Sequence, residues 1–490
     1  MIKAFMAEKI SEFQERLSKL EALQEQGVNA YPAHCRREQT NGQVLANFDH
    51  YLANETVVYL TGRLRSKREH GNLTFAELQD GTATIQLAFN KKELEDKYKQ
   101  FLKYIDIADF IEVSGKVFMT HAGQQSVLVS DWRLISKALL PLPEKWHGLQ
   151  DDDERLRKRY LDLLFNSELR DLFAKKAKFW QVTRRFLIDH GFMEVETPTL
   201  ETTTGGAEAR PFKTHHNDYD TDVYLRISIG ELWQKRLMAA GFDKTFEIGR
   251  AYRNEGSSPD HLQEFTNMEF YWGYANYRDG MKLTQELYRT LAQEVFGTTK
   301  FTNKGHTFDL ADEWREIDYL QEIIDQTGIN ILTASEADMR TKLAELKVSY
   351  EGDNRERLTD TLWKYCRKNI AGPAFLIGHP KLISPLAKSR PDNPELTERF
   401  QIIIAGTEIG NGYSELNNPI DQRARFEEQQ KLLDNGDDEA MMPDWEFVEM
   451  LEHGMPPTCG FGFGERLFAC LAGQPLREVT LFPFMKPKQQ

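Results

Sequence analysis

FEIGRAYRNEGSSPDHLQEFTNMEFYWGY, running from Phe246 to Tyr274, reads as two antiparallel strands joined by a polar loop. The loop, Asn254 to Gln263, holds Gly256, two serines, Pro259 and Asp260, which is turn chemistry between two periodic runs. Period two sets Phe246, Ile248 and Tyr252 on one face of the incoming strand, with Gly249, Ala251 and Arg253 on the other. On the outgoing strand Phe265, Glu269 and Tyr271 share a face, while Met268, Phe270 and Trp272 take the opposite one. One surface of the ribbon therefore offers a guanidinium, an aromatic plate and a carboxylate, beside small residues that leave room for a flat ligand. Such a set suits a nucleoside triphosphate: Arg253 for a phosphate, Phe265 for a base, a carboxylate for a metal or an amine. Taken alone, the pattern equally describes an amphipathic hairpin with a charged solvent face.

The chain has 490 residues, too many for one hydrophobic core, so two or three domains are expected. A net charge of −14 argues against a protein that coats nucleic acid indiscriminately. It leaves room for RNA recognition by a local face, since RNA is often read through shape and splayed bases. No apolar run is long enough for a membrane span, and the N-terminus lacks the apolar core of a signal peptide. Cys35, Cys366, Cys459 and Cys470 are scattered, which fits neither a disulfide framework nor a zinc knuckle and points to a reducing, cytoplasmic setting.

Residues 8 to about 26 carry apolar side chains at helical spacing, ended by Gly27. From Thr56 to about Leu134 the pattern changes to five short strands, with a helical stretch, Lys91 to Tyr104, between the third and fourth. That order predicts an OB-fold barrel, a platform for single-stranded nucleic acid. The expected layout is an N-terminal helical extension over 1–55, the barrel over 56–137, a linker over 138–158 and a second domain over 159–490. A mostly helical insertion falls at about 325–370.

Two further stretches carry glycines beside carboxylates. In IIIAGTEIGNGYSEL, Ile402 to Leu416, a buried strand runs into Gly406, Gly410 and Gly412 with Glu408 and Glu415 among them. In TCGFGFGERLFACL, Thr458 to Leu471, alternating glycines end in Glu465-Arg466 and enter an apolar helix. His215 and His216, without ligand spacing, read as structural, Cys459 as a packing residue, and Asp437-Asp438-Glu439 as a solvated helix start.

Arg253-Asn254-Glu255-Gly256, followed by His261 and Glu264-Phe265, resembles motif 2 of class II aminoacyl-tRNA synthetases. The long helix Asp171 to His190 with Met193 to Pro198 resembles motif 1, and the Thr458 stretch resembles motif 3. Segments such as RYLDLL, GGAEARPFKTHHN and REVTLFPFMKP extend the likeness, most of all to the bacterial-type lysyl-tRNA synthetase family, over nearly the whole chain. The resemblance implies an α+β multidomain fold, an OB-fold barrel plus an antiparallel catalytic sheet flanked by helices. It implies lysine, ATP, magnesium and tRNA(Lys) as ligands and a homodimer built through motif 1. By position, Arg253 and Arg466 would be the catalytic cations, and Glu255, His261, Phe265 and Glu408 would complete the ATP site. Gly206, Glu231, Arg253, Glu269, Tyr271, Asn411, Tyr413 and Glu415 would line the lysine site. Glu408, with Gln401 and Glu415 as further candidates, would hold the metal. Phe75 and Gln86 match anticodon-reading positions.

The carboxylates have a chemical logic apart from the likeness: an amino acid with a cationic tail needs acidic partners at both ends, and each charge-assisted hydrogen bond is worth roughly 1.5–3 kcal/mol. Three places depart from the family pattern. Gln401 stands where a metal-binding glutamate is usual. Gly464 meets Glu465 with no hydrophobic residue between them. The segment LRISIGELW is one residue longer on its approach to Glu231. Two other readings stay open, a transferase that attaches lysine to a protein, of the elongation factor P-modifying type, and a catalytically silent RNA-binding paralogue.

Overall fold

The computed structural model describes residues 2–143, 151–207, 209–350, 352, 354–436 and 440–488. The chain forms two compact units that divide between Asp151 and Asp152. The linker's residues 144–150 and the acidic run 437–439 lie outside the described residues.

The first unit is a closed barrel of β1 (Val57–His70), β2 (Leu73–Gln79), β3 (Thr84–Asn90), β4 (Phe110–Met119) and β5 (Gln125–Ser136), in the order β1-β2-β3-β5-β4. The 14-residue β1 closes it by pairing with β4 along Val57–Arg63 and with β2 along Arg63–His70. A bulge between Leu64 and Ser66 bends the strand where it changes partners. Inward Leu60, Leu64, Ala76, Leu78, Ile85 and Leu87 alternate with outward residues and are essentially inaccessible. The helical stretch between β3 and β4 is two helices, Lys91–Leu94 and Asp96–Tyr104, because Glu95 takes a left-handed φ of 46°. The N-terminal segment is more than an extension. Leu20 and Leu23 of the helix Ile2–Glu25 share one core with the barrel, as do Val44 and Phe48 of the helices Asn41–Ala46 and Phe48–Ala53.

The second unit begins with the helices Asp152–Arg157 and Arg159–Phe165, so the expected linker already contains the first turns of this unit. Its main sheet takes β6 (Met193–Glu194), β10 (Lys244–Tyr252), β11 (Glu264–Gly273), β14 (Arg315–Asp318), β15 (Ala374–Ile377), β16 (Arg399–Ile404), β17 (Thr407–Ser414) and β18 (Thr458–Gly464). They lie in the order β14-β15-β16-β17-β18-β11-β10-β6, antiparallel except at the two edges. Between them, β7 (Leu200–Glu201), β8 (Lys213–His216) and β9 (Thr221–Leu225) form a small sheet, and β12 (Lys300–Asn303) pairs with β13 (His306–Asp309).

The helix Ser167–Asp189 covers one face of the main sheet, and Phe179, Val182 and Phe186 enter a core with Phe246, Met268, Phe270, Phe461 and Phe463. The face away from that core carries the polar groups. The insertion starts earlier than expected, at Tyr319 rather than 325, because the Asp318 carboxylate caps the helix Tyr319–Thr327. With Glu336–Glu345 and Arg355–Cys366 it builds its own core around Trp363 and Leu362 between β14 and β15. Among the described residues no helix is long and apolar enough to cross a membrane.

Candidate active site

The hairpin register decides what the cleft contains. Ala251 pairs with Phe265, Gly249 with Asn267, Glu247 with Glu269 and Thr245 with Tyr271, so the expected polar face exists as one surface. Phe246 opposite Phe270 and Ile248 opposite Met268 point into the core. Arg253 follows the end of β10, half-buried, with its guanidinium 5.3 Å from the centre of the Phe265 ring and its Nε donating to Ile227 O at 3.3 Å.

Strand β18 lies beside this face, and its alternation explains the glycines. Phe461 and Phe463 go to the core, so Gly460, Gly462 and Gly464 face the cleft. A Cβ at Gly460 would collide with Glu415 Oε1, and one at Gly462 would come within 2.8 Å of Glu269 Cγ. These positions stay bare because carboxylates pack directly against the backbone there.

The floor is acidic and buried. Glu231, Glu269 and Glu415 are 5%, 7% and 2% exposed. Glu269 Oε1 accepts the Ile229 N–H at 2.8 Å and Asn267 Nδ2 at 3.2 Å, and Glu269 Oε2 accepts the Tyr271 hydroxyl at 3.2 Å. Glu231 accepts the Tyr413 hydroxyl and Lys235 Nζ, the latter at 2.8 Å, and Glu415 Oε2 lies 2.5 Å from the same ammonium. Just before Glu231, Gly230 is left-handed at φ 64° and so close to Thr197 that any side chain would strike its hydroxyl.

Burial raises the Glu269 carboxyl to about 7, with Glu231 adding to the rise. Burial likewise lifts Glu415 to about 8 against the pull of Lys235. Tyr271 and Tyr413 rise well above their ordinary value, through burial first and then the neighbouring carboxylates, and so keep their protons to donate. A cationic ligand reaching this floor stabilises the ionised carboxylates, lowers their pKa and expels protons. Affinity for such a ligand should therefore climb as pH rises through about 7 and level off above about 8, with up to tenfold per pH unit for each proton released. Calorimetry of L-lysine binding at neutral pH, in buffers of different ionisation enthalpy, checks the sign. Net proton release is expected, and net uptake would contradict it.

The mouth of the cleft holds the remaining groups. His261 accepts or donates at 2.8 Å with Ser258 Oγ, and the exposed Arg466 opens the helix Arg466–Leu471. The short junction before it is anchored by the buried Glu465, which accepts the Thr266 N–H at 2.8 Å and Lys176 Nζ at 2.5 Å. On β17, Glu408 Oε1 accepts Trp363 Nε1 at 2.6 Å, and Asn411 Oδ1 accepts Arg399 Nε at 2.8 Å. Every site residue read from the sequence in this domain lines the one cleft, from Gly206, Glu231 and Arg253 to Glu415 and Arg466.

The metal candidates fare differently. Gln401 is uncharged and its Oε1 faces His379 Nε2 at 3.0 Å, while Glu415 already holds the Lys235 ammonium. Among the described residues no group of three or more histidines, cysteines or acids could hold a metal ion. The donor set fits an ion carried chiefly by phosphates, with Glu408 as its one carboxylate, because magnesium keeps several non-protein ligands. Sequence reasoning missed Trp363, Arg399, Asn267 and Lys235. Only Lys235 left a trace, four residues after Glu231 on one helix face.

In the barrel, Phe75 and Gln86 sit on the outward face of β2 and β3, opposite Ala88 and Glu77. Arg68 pairs with Phe75 across β1, and Gln86 Oε1 accepts Ser126 Oγ at 2.7 Å. His215 Nδ1 lies 3.2 Å from Asp222 Oδ1 across β8 and β9, which ties the two strands together.

A cleft that joins a cationic hairpin, an aromatic plate and an acidic floor on an antiparallel sheet has known counterparts. The chain belongs to the class II tRNA synthetases: the family of tRNA synthetases class II (D, K and N) matches residues 151–486. An OB-fold nucleic acid binding domain matches residues 58–135. Within the class its relatives are lysine–tRNA ligases. The chain is 44% identical to that of Roseiflexus sp. (strain RS-1), over 97% of this chain and 98% of the relative. It is 42% identical to that of Thermotoga maritima, over 98% and 97%, and 40% identical to that of Bacillus subtilis, over 97% of each.

Proposed function

We propose that the chain is a lysine–tRNA ligase that activates L-lysine with ATP and transfers it to the 3′ end of tRNA(Lys). The observation that carries the reading is the set of three buried carboxylates beside Arg253 on one face of one sheet. A substrate oxygen and a phosphate meet Arg253, while ammonium groups meet Glu231, Glu269 and Glu415. Gly206, Tyr271, Asn411 and Tyr413 shape the same recess.

The lysine carboxylate oxygen attacks the ATP α-phosphorus. An oxygen–phosphorus bond forms, the bond to the β-phosphate bridge breaks, and pyrophosphate leaves. The terminal ribose hydroxyl of tRNA then attacks the adenylate carbonyl and AMP leaves. Arg253 orients the carboxylate and offsets charge on the α-phosphate, Phe265 stacks on adenine, and Glu255 and His261 hold the nucleotide. Arg466 meets the outer phosphates at the mouth. Magnesium, when bound, neutralises phosphate charge, and Glu408 is the carboxylate that would hold it.

Residues 56–137 serve as the anticodon-binding domain, with Leu20, Leu23, Val44 and Phe48 of the N-terminal helices packed on it, and 152–490 as the catalytic domain with its insertion. A homodimer through motif 1 is supported by Ile188 and Met193, both about half exposed on that segment, and by Leu200 just after it. Four free cysteines, three of them buried, are in keeping with a cytoplasmic enzyme.

The test is charging of transcribed tRNA(Lys). The unsubstituted protein should attach lysine to it, and Phe75→Ala should lower kcat/KM for the tRNA by about tenfold, one lost stacking contact of roughly 1–3 kcal/mol. Lysine-dependent pyrophosphate exchange, which needs no tRNA, should stay unchanged in that variant. A protein that activates lysine yet leaves tRNA uncharged would favour the protein-modifying transferase instead. One that activates nothing would favour the silent paralogue.

A further inference from the structure

The helix Glu231–Ala239 carries a lysine on the wall of the acidic cavity. Lys235 is 1% exposed, and its Nζ lies 2.8 Å from Glu231 Oε1 and 2.5 Å from Glu415 Oε2. Aromatic rings close the remaining sides, with centroids at 5.5 Å for Tyr413, 5.7 Å for Phe447 and 6.0 Å for Tyr271. A buried ammonium in such a cage is held by charge and by ring faces.

The charges in the cavity can be followed group by group. Once a cationic ligand has drawn off their protons, the buried Glu231, Glu269 and Glu415 bring three negative charges. An incoming lysine brings two ammonium groups, and its carboxylate is matched by Arg253. Two ammoniums leave one carboxylate unmatched, and Lys235 matches it. Without Lys235 the occupied cavity would keep one uncompensated buried anion, a state that proteins avoid at a penalty of several kcal/mol.

We propose that Lys235 is a positioning and specificity-determining residue, a resident cation that sets the cavity's charge to the value a dicationic amino acid neutralises. This rests on the reading of the cleft as a lysine site. Lys235 draws Glu231 and Glu415 to one side of the recess, leaving the other oxygen of Glu231 and the Glu269 carboxylate turned to the substrate. An amino acid with one ammonium leaves a carboxylate unpaired and is rejected. The competing explanation is a plain structural ion pair that ties the helix to β17.

A double-substitution cycle separates the two through lysine KM, ATP KM and melting temperature. Lys235→Met keeps the length of the side chain and removes its charge. It should raise lysine KM by at least about tenfold while ATP KM stays within about threefold. In the Glu415→Gln background the occupied cavity holds two carboxylates against three ammoniums, so the same change restores the match and should leave lysine KM unchanged within about threefold or lower it. An equal penalty in both backgrounds would overturn the proposal, as would a Lys235→Met enzyme with an unchanged lysine KM. If Lys235→Met alone does not fold, the comparison of Glu415→Gln with the double variant decides, since the double variant again sets two carboxylates against the two ammoniums of bound lysine. A tenfold rise in lysine KM between those two counts against the proposal. Failure of the unsubstituted protein to exchange pyrophosphate with lysine would instead strike the underlying function.

Discussion

Lysine-dependent ATP–pyrophosphate exchange should fall by about three orders of magnitude in Arg253→Ala, roughly 4 kcal/mol of transition-state stabilisation. The melting temperature should hardly move. Arg253 leaves β10 at the rim of the sheet, donates one hydrogen bond to Ile227 O, and contributes nothing to the core behind it. What it offers is a planar cation placed over Phe265, where an α-phosphate and a carboxylate would converge. Arg253→Lys should recover little, because a point charge on a flexible stem cannot bind two oxygens in one plane. Near-normal exchange in a folded Arg253→Ala protein would remove Arg253 from the chemistry.

The second large effect is expected at Glu269. Glu269→Gln keeps an oxygen for the Ile229 N–H and nearly the same shape, so folding should survive. The charge is lost. We expect kcat/KM for lysine to fall by about a hundredfold, near 3 kcal/mol, mainly through lysine KM, with ATP KM almost unchanged. Because the free carboxyl is raised to about 7, the substitution should also remove the part of the pH dependence of lysine binding centred there and leave the part that Glu415 carries. A Glu269→Gln enzyme with the original pH profile would show that another group titrates.

Much of this site was legible in the chain because period two is a strong signal on a hairpin. The faces of Phe246 to Tyr274 follow from alternation alone, and the pairing of Ala251 with Phe265 and Glu247 with Glu269 bears them out. The glycines of Thr458 to Gly464 were visible as a pattern, but their reason was not. Only the packing of Glu415 and Glu269 on that backbone gives it. Groups brought in from distant segments escaped notice altogether. Trp363 reaches Glu408 from the insertion, 45 positions away, and Lys235 meets Glu415 across 180 residues of sequence. Boundaries failed where a local event outweighed periodicity, as with the left-handed Glu95 and the Asp318 cap. The N-terminal helices looked like an appendage because their apolar stripe does not say which core it joins.

The central claim is that the buried carboxylates choose the substrate's charge. Pyrophosphate exchange by the unsubstituted protein, run with each standard amino acid in turn at pH 8, tests it most directly. Lysine should support exchange at a rate at least about a hundredfold above any uncharged or acidic amino acid, since those leave buried carboxylates without partners. Exchange with aspartate or asparagine that equals or exceeds the lysine rate would contradict the account.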